Sequence, residues 1–348
     1  AGGFLAKPAH TFSLLQGLWM ISGAGGTFEL FEPEQCLAYR VVGGSQLIAL
    51  RLAERLGDRV TLNAPARSIR WSDDAVTVAS FNFPESVLLA EIYAQAMERA
   101  GFRIEREVAL GPRELVMPAL VSGLVEFVPE YSGSGLQFLA GPGSNTPDPE
   151  TNHRIFADRL ASLDVTALDA SPAEDQNGFV VTSETAERYD LRTLSDLATV
   201  SDRLVFGGPP ECAARPLCLP GLESTYGIAF ADTFTNLDAG GPRTVSALAQ
   251  GTVDVALLFT SDGAIDLNDF VLLDDDRRLQ PAENVTPVIR ADALARFGPS
   301  LAEKVNAVSA LLSTDELRML NAEVARGADP VRIASAWLAS SGFGAGPG

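Results

Sequence analysis

Basic residues are scarce in this chain of 348 residues, which has 26 lysines and arginines against 45 aspartates and glutamates. The formal net charge of −19 and the isoelectric point near 4.5 argue against nucleic acid as a partner, because its phosphates would be repelled. The same charge argues against an anionic membrane surface. Long apolar runs are also missing, and none approaches the roughly 18–20 residues that span a bilayer. The composition therefore predicts neither a nucleic-acid-binding protein nor a membrane-spanning one.

Histidine and cysteine are rare, with two histidines and three cysteines. Neither His10 nor His153 lies near the cysteines in sequence, so no zinc site is predicted and each histidine is interpreted as a surface or packing residue. Cys212 and Cys218 are separated by five residues in the proline-flanked stretch ECAARPLCLP. A disulfide closing this loop would suit an oxidising compartment, and two reduced thiols are the alternative. Cys36 is left over from this pairing.

Motifs of nucleotide and cofactor chemistry are missing as well. A dinucleotide site needs a strand, the pattern G-x-G-x-x-G and a helix, but GAGGTF (23–28) ends in Phe28 and no βα unit surrounds it. No P-loop pattern G-x-x-x-x-G-K-[ST] is present, so an ATPase would have to be a separate chain. No nucleophile–base pair or metal cluster is visible by spacing. The sequence therefore predicts no catalytic residue, no cofactor and no metal.

The first ten residues, AGGFLAKPAH, do not have the pattern of an export signal. They lack a charged n-region followed by an apolar h-region and a cleavage site. We interpret the chain as one whose leader has been removed, or as a fragment or a fusion.

Regular alternation of strands and helices is present from Val76 onward. VTVAS (76–80) is typical of a strand, and Pro84 opens an apolar helix that ends at Gly101. The stretch GPGSNTPDPET (141–151) is predicted to be an irregular loop. A chain of this length is expected to contain two or three structural units. The pattern predicts an α/β fold after Val76.

The stretch YRVVGGSQLIALRLAERLGDRVTLNAPARSIRWSDDAVTV (39–78) has a different character. With the residues before it, from about 10 onward, it resembles the flavin-containing monoamine oxidases. In that family the corresponding segment returns the chain from the substrate domain to the FAD domain. The match covers a small part of a complete oxidase, and the flavin-contacting C-terminal part is absent. Residues 1–75 are therefore predicted to be a partial oxidase-like appendage without a complete core.

Six later stretches occur in the order that a second family requires: VTVASFNFPESVLLAEIYAQAMERAGF, VPEYSGSGL, GGPPECAARPLCLPGLESTYG, GTVDVALLFTSDGAI, LLDDDRRLQPAENVTPVIR and TDELRMLNAEVA. They resemble the substrate-binding proteins of ABC importers for glycine betaine, choline, carnitine and proline. The resemblance implies a two-lobed α/β fold of the type II periplasmic binding proteins, with the ligand in the cleft. The substrate-binding domain is predicted to span 76–348, with lobe 1 formed by 76–174 and 281–348 and lobe 2 by 175–280.

The same resemblance implies individual ligand contacts. Arg215 corresponds to the residue that binds a ligand carboxylate, and Ser134 to a hydroxyl donor to the same group. Tyr131 and Phe259 correspond to aromatic residues that enclose a quaternary ammonium group, which has no N–H to donate. The alternatives are a surface arginine in a loop for Arg215 and a core residue at a strand end for Phe259.

Three positions depart from the family pattern. Phe81 stands where relatives have a lysine after the first strand, and Asn177 and Glu283 stand where two further tyrosines are expected. Phe81 would restore one aromatic face, and Glu283 would pair with a cation that donates N–H bonds. A small cationic or zwitterionic amine is therefore expected as ligand, with glycine betaine as one possibility.

The sequence thus predicts an extracytoplasmic, monomeric solute-binding component of an ABC importer that is not an enzyme. It would capture an osmoprotectant-type amine such as glycine betaine, choline or carnitine and deliver it to an ABC permease served by a separate ATPase. The alternatives are a fragment of a flavin-dependent amine oxidase, and a sensor or receptor domain that uses the same cleft.

Overall fold

The computed structural model describes residues 74–230 and 234–343. The predicted oxidase-like appendage, 1–75, lies outside the described residues except for its last two. The predicted residue boundaries of this appendage and of the two lobes stay predictions.

Ten strands form two five-stranded sheets within the described residues. The strands are β1 (Ala75–Phe81), β2 (Arg103–Gly111), β3 (Phe127–Tyr131), β4 (Val165–Ala167), β5 (Asn177–Thr182), β6 (Phe206–Gly208), β7 (Thr235–Asn236), β8 (Val255–Phe259), β9 (Phe270–Leu272) and β10 (Val285–Arg290). The first sheet has the order β2-β1-β3-β10-β4 and the second β7-β6-β8-β5-β9. In the first sheet β10 runs antiparallel to β3 and β4, whereas β1 is parallel to β2 and β3.

Helices connect and cover these strands, as the βα alternation predicts. They are α1 (Pro84–Arg99), α2 (Arg113–Ser122), α3 (Ser132–Ala140), α4 (Pro149–Ala161), α5 (Ser183–Tyr189), α6 (Leu194–Leu197), α7 (Leu219–Tyr226), α8 (Pro242–Ala249), α9 (Ala264–Leu267), α10 (Ala291–Phe297), α11 (Pro299–Ser309), α12 (Thr314–Ala325) and α13 (Pro330–Ser340). Helix α1 begins at Pro84, whose missing N–H costs nothing in the first turn, and it ends before Gly101, which has a φ of 93°.

The loop predicted over residues 141–151 is wrong at its end, because helix α4 begins at Pro149. The Asp148 side chain caps this helix by accepting a hydrogen bond of 2.8 Å from the backbone N–H of Thr151. Asp followed by Pro is a helix-start signal, since the carboxylate satisfies a free N–H and proline fits the first turn. The surrounding Gly, Pro, Ser and Asn residues are typical of a loop, so the helix start at Pro149 was not recognised from the sequence.

Each sheet has its own apolar core. In the first, Val76 of β1 and Leu88 of α1 are buried with Leu301, Trp337 and Leu338 from the C-terminal helices. The chain therefore returns to the first sheet after completing the second. The second sheet has separate buried clusters, one built around Phe179, Phe206 and Leu222. This arrangement gives two lobes, which we call the first lobe and the second lobe.

Two chain segments pass between the lobes, one from β4 to β5 and one from β9 to β10. They run side by side, since Glu174 and Asn284 form an antiparallel bridge and Asp175 donates its N–H to the carbonyl oxygen of Glu283 at 3.2 Å. The crossing segments therefore place Asp175 and Glu283 at the junction of the lobes.

Within the described ranges, no helix combines the length and the apolar character needed to cross a membrane.

A candidate ligand-binding cleft between the lobes

A cavity of about 240 Å³ lies where the two lobes and the two crossing segments meet. We call it the inner cavity. Its walls are Phe83, Arg113, Tyr131, Ser134, Asp175, Gln176, Asn177, Leu217, Phe259, Gln280, Pro281 and Glu283. Tyr131 and Ser134 lie at the junction of β3 and α3 in the first lobe, while Asn177 and Phe259 lie at adjacent ends of β5 and β8 in the second. Strand ends from both lobes thus supply the walls, as expected of ligand sites in open α/β sheets.

Five of the seven residues predicted for the site line this one cavity: Tyr131, Ser134, Asn177, Phe259 and Glu283. They come from positions up to 152 residues apart in the chain, as the difference between 131 and 283 shows. Their contacts with a ligand stay predictions.

Phe81 does not line the inner cavity. It is buried at the end of β1, and its ring stacks on that of Phe83 with centroids 5.9 Å apart. Phe83 is the residue in the wall, with 38% of its surface exposed. The extended chain from Phe81 to Phe83 places the two rings on the same side, so that one lies behind the other. Phe83 is the second aromatic residue of the stretch SFNFPE, and the sequence analysis did not assign it to the site.

Arg215 also lies outside the inner cavity. Its side chain is 65% exposed and forms an ion pair of 3.3 Å with Glu211. Nevertheless, the loop that carries it borders the cavity, because Leu217 lines the wall. Cys212 and Cys218 form a disulfide across this loop, with Cα atoms 5.2 Å apart.

The arginine that does line the inner cavity is Arg113, which the sequence reasoning missed. It follows the turn after β2 and begins α2. Its guanidinium binds the fully buried carboxylate of Glu130 through Nε at 3.0 Å and Nη2 at 2.8 Å. Nη2 also donates to Oγ of Ser134 at 2.8 Å. Arg113 is therefore already engaged with a protein carboxylate in a fork geometry.

Glu283 presents a carboxylate to the inner cavity. Its Oε2 accepts hydrogen bonds from the backbone N–H of Ser134 at 2.9 Å and from its hydroxyl at 3.3 Å. Desolvation raises the pKa of Glu283 to about 7, against these hydrogen bonds and the positive charge of Arg113. A cation entering the cavity would favour the ionised form of this group.

Two further carboxylates, those of Glu85 and Asp175, lie near Glu283. Glu85 is buried in the first turn of α1 and accepts from the Tyr131 hydroxyl at 2.6 Å and from Nδ2 of Asn321 at 2.5 Å. Asp175 accepts from the Ser261 hydroxyl at 2.8 Å. Burial raises the pKa of Glu85, and burial together with the negative charge of Glu85 raises the pKa of Asp175 well above its usual range. The cleft is therefore strongly acidic and walled by aromatic rings, which suits a cationic ligand.

Residues 74–340 match the family model described as the substrate binding domain of ABC-type glycine betaine transport systems. The chain belongs to this family. Known relatives agree with the assignment: the glycine betaine-binding protein YehZ of Escherichia coli (strain K12) is 29% identical over 304 residues, which cover 78% of this chain and 97% of that protein.

A solved structure described as a glycine betaine/carnitine/choline ABC transporter superposes with a TM-score of 0.72 at 26% identity, covering 77% of this chain and 99% of that one. The predicted two-lobed periplasmic-binding-protein fold is confirmed. The oxidase-like resemblance is also confirmed as a partial match: a putrescine oxidase of Kocuria rosea is 46% identical over 80 residues, 23% of this chain and 17% of that protein. The family is a binding component of transporters, and the oxidase match is short.

Proposed function

We propose that the protein is the extracytoplasmic solute-binding component of an ABC importer and captures a small cationic or zwitterionic amine in the inner cavity. The observation that carries the proposal is the carboxylate of Glu283, which faces a cavity whose other walls include Phe83, Tyr131 and Phe259. Aromatic faces attract an ammonium group by about 0.5–2 kcal/mol for each favourable contact. A desolvated carboxylate adds Coulomb attraction and accepts N–H bonds.

The geometry favours an amine that donates N–H bonds over a fully methylated one. Oε1 of Glu283 accepts no hydrogen bond from the described residues, so it is available to a ligand donor. A quaternary ammonium group would leave it without a donor, which is costly for a desolvated carboxylate. Glycine betaine and carnitine, which relatives bind according to their names, remain within the proposed class, and so does choline.

The partners follow from the transport role. A monomeric binding protein would close its lobes around the amine, deliver it unchanged to a permease and depend on a separate ATPase chain. The family match over residues 74–340 supports this role over an amine oxidase fragment, whose matches are short. A sensor or receptor domain using the same cleft would differ by lacking neighbouring genes for a permease and an ATPase.

Isothermal titration calorimetry of the full chain tests the proposal. The ligands are glycine betaine, choline, carnitine and the primary amine butylamine. At least one should bind with heat that is lost in Glu283→Gln, which keeps the shape of the side chain and removes its charge. The exposed Asp202→Asn is the matched control for loss of one negative charge. Absence of binding by all four ligands, or equal binding by Glu283→Gln, would remove the basis of the proposal.

A further inference from the structure

The inner cavity shares part of its wall with a second cavity of about 730 Å³, which we call the outer cavity. Phe83, Asp175 and Phe259 line both. The outer cavity continues between the start of α1, the loop after β8 and the end of α12, where Val324 and Ala325 give it an apolar side. A ligand longer than the inner cavity could therefore extend past the two phenylalanines.

The charges of the combined walls are strongly unbalanced. Four carboxylates line the two cavities: Glu283 only the inner one, Glu85 and Asp262 only the outer one, and Asp175 both. The one basic side chain among these wall residues is Arg113, which already binds Glu130. A ligand with a single positive charge would compensate only part of this charge.

Several of these carboxylate oxygens are also without donors. Asp262 accepts the backbone N–H of Ala264 through Oδ1 at 2.8 Å, and Asp175 accepts the Ser261 hydroxyl through Oδ1. Neither Oδ2 atom accepts a hydrogen bond within the part of the chain that the structure describes. Oε1 of Glu283 likewise accepts no hydrogen bond from the described residues. None of these three oxygens is sealed from solvent, so each can accept a hydrogen bond from a ligand that enters the cavities.

The mutual repulsion of these carboxylates also favours a second positive charge in the cleft. Burial raises the pKa of Asp175, and the negative charges of Glu85, Glu283 and Asp262 raise it further. Burial also raises the pKa of Asp262. A positive charge placed among Asp175 and Asp262 would relieve this repulsion more directly than one placed at Glu283, whose charge is only one of the three that act on Asp175.

We infer that the cleft binds an organic dication, with one ammonium group at Glu283 in the inner cavity and the other at Asp175 and Asp262 in the outer cavity. The carbon chain that joins the two ammonium groups passes Phe83 and Phe259. The inference rests on the proposed capture of a cationic amine and narrows it to α,ω-diamines and their longer analogues. It does not require Arg215, since such a ligand has no carboxylate.

The test compares α,ω-diaminobutane with butylamine, which has the same chain and one ammonium group, by calorimetry on the full protein near pH 8. The diamine should bind at least about tenfold more tightly. Diamines with three to six carbons should show an optimum length, because both ammonium groups must reach their carboxylates. Equal affinity for the diamine and butylamine would overturn the inference.

Two variants locate the second ammonium group. Asp262→Asn keeps the acceptor for the Ala264 N–H and removes the charge, so it should lower the diamine affinity at least about tenfold and leave butylamine unchanged. Glu283→Gln should weaken both ligands, and the exposed Asp202→Asn neither. Equal loss of both ligands in Asp262→Asn would contradict the assignment.

The outcomes separate this inference from the function on which it rests. Binding of choline or glycine betaine without any preference for diamines would overturn the dication and leave the amine-binding function in place. Binding of none of these ligands would remove both. If Asp262→Asn failed to fold, the comparison of diamine and monoamine on the unmodified protein would still decide.

Discussion

The Tyr131 hydroxyl donates a hydrogen bond of 2.6 Å to Oε1 of Glu85, which lies 46 positions earlier in the chain. The contact joins an aromatic wall of the inner cavity to a carboxylate of the outer cavity. It also fixes the direction of the ring, because the hydroxyl of a buried tyrosine has few other acceptors. Burial and the neighbouring negative charges, chiefly Glu85, raise the pKa of Tyr131 well above its usual range, so the phenol stays protonated.

Removing this hydroxyl should destabilise the protein more than it weakens binding. Tyr131→Phe keeps the ring but leaves Glu85 short of a donor in a buried site, which costs about 1–3 kcal/mol of unfolding free energy. Urea denaturation measures the loss. Tyr189→Phe, in the second lobe, is the control and should change stability little. A Tyr131→Phe protein as stable as the parent would show that water replaces the hydroxyl at Glu85.

The binding of a permanently charged ligand should depend on pH through Glu283. Its pKa of about 7 lies above the usual 4.5 because of desolvation, so the group is largely protonated in the free protein below pH 7. Choline does not titrate, and its affinity should rise by up to about tenfold for each pH unit until the pH reaches this pKa. Calorimetry from about pH 5.5 to about pH 8 measures the profile. In Glu283→Gln this part of the pH dependence should disappear.

The raised pKa of Glu283 has the opposite effect on the stability of the ligand-free protein, which should decrease as the pH rises. The pKa of Glu283 is higher in the folded than in the unfolded chain, so the folded state retains the proton between pH 4.5 and 7. Its contribution to the free energy of unfolding is fully present below pH 4.5 and is lost as the pH rises to about 7. Denaturation of Glu283→Gln should show a smaller decrease over this window.

Arg113 should matter for stability more than any exposed arginine. Its side chain is 22% exposed and pairs with Glu130, which is fully buried. Arg113→Met would leave that carboxylate without its cation, at a cost of about 3–5 kcal/mol. Arg215→Met, at an arginine that is 65% exposed, should change the free energy of unfolding by less than about 1 kcal/mol. Similar urea midpoints for the two variants would contradict the structural role given to Arg113.

The sequence predicted the local elements better than the walls of the cleft. Helix α1 was readable because Pro84, an apolar stripe and Gly101 are all local signals. Glu85 was not singled out, because an acidic residue in the first helical turn is ordinary. Its burial depends on Tyr131 and Asn321, which are 46 and 236 positions away. Such long-range contacts have no signature in the sequence of a single chain.

The family resemblance predicts that residues distant in the chain belong to one site, which local sequence patterns cannot indicate. It assigned Tyr131, Ser134 and Glu283 to one site, and all three line the inner cavity, although their contacts with a ligand stay predictions. It did not distinguish Phe81 from Phe83, because the two rings follow each other within three residues and only packing decides which is exposed.

The predicted role of Arg215 depends on a ligand that carries a carboxylate. In this structure the arginine pairs with Glu211 in solvent, yet it belongs to the disulfide-closed loop whose Leu217 lines the inner cavity. An exposed ion pair contributes about 0–1 kcal/mol, so exchanging Glu211 for a ligand carboxylate costs little. Arg215→Ala should therefore lower the affinity for glycine betaine at least about tenfold and leave choline, which has no carboxylate, unchanged. Calorimetry with both ligands measures the difference, and the exposed Arg203→Ala is the matched control. Unchanged betaine affinity in Arg215→Ala would show that Arg215 is only a surface residue paired with Glu211.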